Sequence, residues 1–221
     1  MEPFIKVCGV RNGDEALGAA LAGANTIGLL MGLTHLAEDG ITPQAGKKIV
    51  AALPDTIRTV MVTHLLDAGE IASIAGIAGV GAVQIHDDLP VEEIIKLRGL
   101  MPAAELIKTV HVTGEEAIGA ACEYEPYVDM ILLDSRTADR LGGTGMVHDW
   151  AVSRAIVERV SVPVILAGGL NPDNINRAIA EVAPAGIDAN SGLEHPDGSK
   201  DFEKIRLFAQ AGKNCRYNKT G

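Results

Sequence analysis

The stretch "VPVILAGGLNPDNINRAIAEV", residues 162–182, decides the fold. Its first seven residues form a short aliphatic run that reads as a strand over 162–168, closed by the Gly168–Gly169 pair. Asn171 followed by Pro172 has the chemistry of a helix N-cap and first helical position, so a helix is expected over 172–182. One strand, one glycine loop and one helix make a βα unit, the building block of a parallel sheet covered by helices.

The same unit recurs along the chain. Eight apolar runs read as strands: 4–8, 26–31, 58–63, 81–86, 106–110, 128–134, 162–168 and 186–190. Helical spacing between them predicts helices near 13–23, 42–53, 67–79, 90–99, 114–122, 149–159, 172–182 and 201–211. Asn12, Thr42 before Pro43, Thr113 and Asp149 join Asn171 as expected starts. Eight βα units fit a single-domain (β/α)8 barrel over residues 1–212, near the short end of that fold's range. A doubly wound open sheet uses fewer units and ranks second. Residues 213–221, "KNCRYNKTG", read as a polar tail.

Composition narrows the function. The 221 residues are 47% hydrophobic and 22% charged, with a net charge of −10, a pI near 5.0 and a mean hydropathy of +0.18. The 19 Lys and Arg are scattered, and a nucleic-acid partner needs a concentrated basic face. No apolar run reaches the roughly 18 residues of a membrane span, and "MEPFIKV" lacks the pattern of a secretion signal. A cytoplasmic protein, monomer or homodimer, is the expectation. Cys8, Cys122 and Cys215 are odd in number and widely spaced, which argues against disulfides and zinc.

In a barrel, the residues just after the strands share one rim, where the chemistry sits. That rim collects Cys8, His64, His86, His111, Asp134 and Asn190. It also collects glycine loops after strands 6, 7 and 8: "DSRTADRLGGTG" (134–145), "AGGLNPDN" (167–174) and "NSGLE" (190–194). Glycine lets backbone N–H groups close on an anion, and loops after strands 7 and 8 commonly hold phosphate. Taken alone, Cys8 reads first as a small buried hydrophobe, and Asp134 as readily as a cap or loop ion pair. Trp150 and Asp149 read as the start of helix 6, Cys122 as inert, and Met31, Met61, Met101 and Met130 as packing.

"IKVCG", "QIH", "ILLDSRT" with "GGTG" and "DW", "LAGGLNPDN" and "IDANSGLEHPDGSKD" occur in an order that resembles the phosphoribosylanthranilate isomerases of tryptophan biosynthesis, from strand 1 to the last helix. The resemblance implies an Amadori rearrangement of a small phosphorylated substrate, with no cofactor and no metal. It implies Asp134 as the acid that protonates the ring oxygen and Cys8 as the base at the sugar C2. Gly143, Gly168, Gly169, Asn190, Ser191 and Gly192 are the implied phosphate contacts, and His86 a substrate contact. Cys8 then needs a depressed pKa or another base-competent setting, and Asp134 a raised one.

Two features depart from that pattern. Glu38 and Asp39 occupy the loop after strand 2, where the family carries an arginine suited to the substrate carboxylate; Arg11 or Arg136 is the candidate replacement. His64 and His111 join His86 at adjacent strand ends beside Asp87. This set suggests an alternative metal site, serving a metal-dependent epimerase, aldolase or hydrolase on another phosphorylated compound. A non-catalytic phosphosugar-binding paralogue is the third reading; the presence of both proton-transfer residues speaks against it.

Overall fold

The computed structural model describes residues 2–34, 38–135 and 149–217. Eight parallel strands close into a barrel in chain order: β1 Phe4–Val7, β2 Thr26–Leu30, β3 Arg58–Thr63, β4 Ala82–Ile85, β5 Glu105–His111, β6 Met130–Asp134, β7 Val164–Leu166 and β8 Gly186–Ala189. Closure is made by β1 on β8, with Phe4 opposite Gly186 and Val7 opposite Ala189. The ladder continues past the strand end through Cys8 N–H to the Ala189 carbonyl. No open sheet edge remains among these strands, and the doubly wound alternative is excluded.

The covering helices are α1 Gly13–Leu21, α2 Pro43–Ala52, α3 Ala68–Ala78, α4 Val91–Leu100, α5 Glu116–Tyr124, α6 Trp150–Arg159, α7 Ile175–Val182 and α8 Phe202–Gly212. Asn12, Thr42 and Asp149 accept hydrogen bonds from the first-turn N–H groups of α1, α2 and α6, as their positions predict. Two expected caps fall elsewhere. Thr113 bonds the Glu116 side chain and α5 starts after Glu115. Asn171 instead closes a turn, its Oδ1 taking the N–H groups of Asp173 and Asn174, so α7 begins three residues later than the Pro172 signal suggested. No helix among the described residues is long and apolar enough to cross a membrane.

Strand alternation divides the core in two. Phe4, Val60, Ala82, Ile107, Met130, Leu132, Ile165 and Ala167 fill the barrel. Val7, Ile27, Leu29, Met61, Val83, Leu133 and Ile187 pack outward against the helices. Trp150 belongs to this outer layer, as expected. The C-terminal segment departs from the polar-tail reading as far as Tyr217. The Arg216 N–H reaches the Pro184 carbonyl and Cys215 is buried, so the segment packs on the barrel.

Candidate active site

The rim where the strands end encloses a cavity of about 270 Å³. Its lining comes from Cys8, Leu30, Asp39, Val62, His64, Gln84, His86, Asp134, the loop Ala167–Leu170 and the segment Asp188–Gly192. Cys8 and Asp134, from opposite sides of the chain order, face one space. So do Gly168, Gly169, Asn190, Ser191, Gly192 and His86. Gly143 and Arg136 lie outside the described residues.

Beneath the cavity sits a feature that the sequence reading missed. Lys6, two residues before Cys8 and so on the same face of β1, is fully buried and ion-paired to Asp188 Oδ2 at 2.7 Å. Gly28 of β2 makes the room. A Cβ there would lie 2.8 Å from Lys6 Cε and 2.9 Å from Cys8 Sγ. A lysine inside the apolar run "FIKVC" and an aspartate inside "GIDAN" were the available signals, since a buried charge needs a partner.

This pair shapes the ionisation of the two candidate catalytic groups. Burial, then the Asp188 charge, push the Asp134 carboxyl up to about 7, against the Ser135 N–H and Lys6. The Ser135 N–H donates to Asp134 Oδ1 at 2.7 Å, and Gly168 at φ 82° presses so close that a Cβ would lie 3.0 Å from that oxygen. Asp134 therefore keeps a proton near neutrality, as an acid must. For Cys8, burial pushes the thiol up to about 11, with Lys6 pulling down and Asp188 pushing up. The depressed thiol pKa considered from sequence is not found: desolvation outweighs the ammonium. Lys6 itself, although burial opposes its charge, is held above its ordinary value by Asp188 and Cys8.

Three buried polar atoms on cavity-lining residues lack hydrogen-bond partners among the described residues: Gln84 Oε1, His86 Nδ1 and Asp188 Oδ1. Such atoms are costly unless a ligand or water meets them. The Asn190 amide, by contrast, is already engaged. It donates to Asp39 Oδ2 at 2.6 Å and accepts from buried Lys200 at 2.6 Å, tying the loop after β2 to the loop after β8. Its side chain is thus a strap across the mouth, which leaves anion contact to the neighbouring backbone.

Two expectations need correction. Arg11 bonds Glu15 and the Gly198 carbonyl and does not line the cavity, so it is not placed to meet a substrate carboxylate. The three histidines do not converge as metal ligands. Their rings follow one another at 4.7 and 5.0 Å, and His111 turns Nε2 to the His86 carbonyl while lining a separate cleft with Lys108 and Tyr124. Among the described residues no group of three or more His, Cys, Asp or Glu is arranged to hold a metal ion.

Comparison with known proteins agrees with this geometry. The family model described as N-(5'phosphoribosyl)anthranilate (PRA) isomerase matches residues 5–211. N-(5'-phosphoribosyl)anthranilate isomerase 2 of Methanosarcina mazei is 45% identical over 212 residues, covering 95% of this chain and 94% of its own. Phosphoribosyl anthranilate isomerase of Thermotoga maritima superposes with a TM-score of 0.85 at 30% identity, over 96% of this chain and 99% of its own. A phosphoribosyl anthranilate isomerase solved with reduced 1-(O-carboxyphenylamino)-1-deoxyribulose 5-phosphate gives a TM-score of 0.81 at 29% identity, with the same coverage.

Proposed function

The chain belongs to the N-(5'-phosphoribosyl)anthranilate isomerase family, and from that premise we propose that Asp134 and Cys8 are the acid and the base of its reaction. The enzyme isomerises N-(5'-phosphoribosyl)anthranilate to the 1-deoxyribulose 5-phosphate in tryptophan biosynthesis. Asp134 and Cys8 lining one cavity at the strand ends is the observation that carries the assignment, and burial pushing the Asp134 carboxyl up to about 7 suits the role of acid.

The proposed sequence of steps balances within one molecule. Asp134 gives its proton to the ribose ring oxygen while the C1–O bond breaks and the nitrogen lone pair forms a C1=N iminium. The iminium acidifies the C2–H bond, and Cys8 Sγ takes that proton as the C2 electron pair forms an enolamine. Cys8 returns its proton to C1 while the C2 hydroxyl gives up its own, which restores the Asp134 carboxyl; the ketone at C2 results and both residues regain their starting protonation. The reaction needs Cys8 as thiolate, and the ligand-free thiol near 11 supplies it sparingly. Lys6 is the fixed cation that favours thiolate; the substrate iminium, formed in the step before, adds a second positive charge.

The phosphate belongs to the backbone of Gly168, Gly169, Ser191 and Gly192. The two loops support this in being closely packed: a Cβ on Gly192 would lie 2.0 Å from the Leu170 carbonyl oxygen. Gly143 is assigned to the same role from the sequence pattern. A cytoplasmic enzyme suits three free cysteines, and a cavity lined by a single chain suits monomer or homodimer alike.

The test is turnover of freshly generated phosphoribosylanthranilate, with and without a chelator, by the protein and by Cys8→Ala and Asp134→Asn. The proposal expects chelator-resistant activity that falls by at least ~10³-fold in each variant, the scale of a lost acid or base. Full activity in either variant would remove that residue from its role.

A further inference from the structure

We infer that Asp39 is a positioning residue: through Asn190 it locks the loop after β2 onto the turn after β8 that is assigned to the phosphate, and buried Lys200 anchors the lock from the other side. This deepens the isomerase reading and rests on it. The substrate carries a phosphate and a carboxylate, both anionic, so a carboxylate lining the cavity works against binding by its charge alone. The contacts of Asp39 give it a different task.

The lock runs through one amide. Asp39 Oδ2 accepts from Asn190 Nδ2 at 2.6 Å, and Asn190 Oδ1 accepts from Lys200 Nζ at 2.6 Å. A carboxylate at one end and an ammonium at the other leave the amide a single orientation, and both bonds are charge-assisted. The Lys200 side chain is fully buried and also holds Glu194 Oε1 at 2.7 Å. Its backbone is set by the antiparallel bridge between Glu194 and Lys200 and by the Asp201 N–H on the Leu193 carbonyl. The anchor is thus the hairpin that directly follows the turn Ser191–Leu193. At the far end, the Ile41 N–H meets the Leu30 carbonyl at 2.9 Å, which returns the chain beside Asp39 to the end of β2. The lock also crosses the exit of β1. Gly9 sits at φ 68°, and a Cβ there would lie 2.3 Å from Asn190 Oδ1 and 2.6 Å from Asp39 Oδ2. Three loops therefore meet at one contact, one residue beyond Cys8, and a glycine stands where the contact passes over the chain.

Charge and position predict opposite effects for Asp39→Ala. Removing a negative charge from the cavity should by electrostatics alone lower KM for phosphoribosylanthranilate. Loss of the lock should instead raise it by about fivefold or more, with kcat within about threefold, the pattern of lost uniform binding. The affinity for inorganic phosphate, read from the thermal stabilisation it gives at constant ionic strength, should weaken in parallel. Asp39→Asn keeps an acceptor for the Asn190 amide without the charge and should bring KM back to within about twofold of the unaltered protein. Lys200→Met cuts the other end of the lock, and combined with Asp39→Ala it should add no more than about twofold to the worse single variant. If Lys200→Met unfolds, the Asp39 pair decides alone. A KM and a phosphate affinity that hold or improve in Asp39→Ala overturn the lock and leave the isomerase reading standing. An Asp39→Asn variant as impaired as Asp39→Ala, or losses that add in the double variant, overturn it equally. If the unaltered protein has no turnover, the isomerase reading itself fails and the inference with it.

Discussion

At the scale of single residues, the site depends on one buried ion pair. Lys6 and Asp188 act on both proposed catalytic groups with opposite sign, the ammonium favouring anions and the carboxylate opposing them. Lys6→Met strands the Asp188 charge in the barrel and should destabilise the fold by about 3–5 kcal/mol. Lys6→Met with Asp188→Asn should recover most of that loss yet remain at least about tenfold slow, because Cys8 has lost its cation. Urea denaturation and turnover, run together on both variants, check this; a double variant with normal turnover would show that Lys6 is structural only. That Cys8 and Asp134 line one cavity was legible in the sequence because each ends an apolar run at the same rim. Lys6 and Asp188 were passed over because a charge within such a run looks like an exception to the strand, not a member of the site. Arg11 stays out of the cavity because rim position does not fix side-chain direction, and Glu15, four residues on, captures it.

At the scale of elements, alternation along the strands decides what reaches the cavity. Lys6 and Cys8 share the inward face of β1, and β2 answers with Gly28, the position where any side chain would collide with both. Gly28→Ala should therefore disturb catalysis more than folding: a loss of about tenfold or more in kcat, with overpacking costing about 1–3 kcal/mol. Wild-type kcat in this variant would mean that the Lys6–Cys8 contact has no catalytic weight. The eight βα units were readable because each strand is a short aliphatic run and several helices carry their own start signal. Starts misplaced at α5 and α7 were those in which a polar side chain bonds a turn or another side chain in place of the helix N–H groups. The histidine trio shows the same limit. Three adjacent strand ends look convergent as a pattern, whereas the rings meet one another at tilted and edge-on angles and His111 turns Nε2 to a carbonyl.

At the scale of the whole molecule, the proposed acid is bought with stability. Folding raises the Asp134 pKa from its ordinary 3.8 to about 7. A raised folded pKa means that the folded state holds the proton more tightly, so stability is greatest below about 3.8 for this group and falls as pH rises toward 7. Above that range the deficit amounts to about 4 kcal/mol at most. Asp134→Asn, neutral at every pH and able to accept from Ser135, should be more stable than the unaltered protein at pH 8 and inactive; equal denaturation midpoints at pH 8 would refute the burden. The most direct measurement of the acid–base assignment is the pH dependence of kcat/KM. With an acid near 7 and a base near 11, the productive form pairs a protonated Asp134 with an ionised Cys8. That form is a share of about one in ten thousand and nearly constant between the two pKa values. The account predicts that kcat/KM climbs up to about pH 7 and then stays level through pH 9.5, since each further unit gains thiolate as fast as it loses protonated carboxyl. A steady fall above pH 7 would contradict it, because that is the profile of an acid working beside a base already ionised.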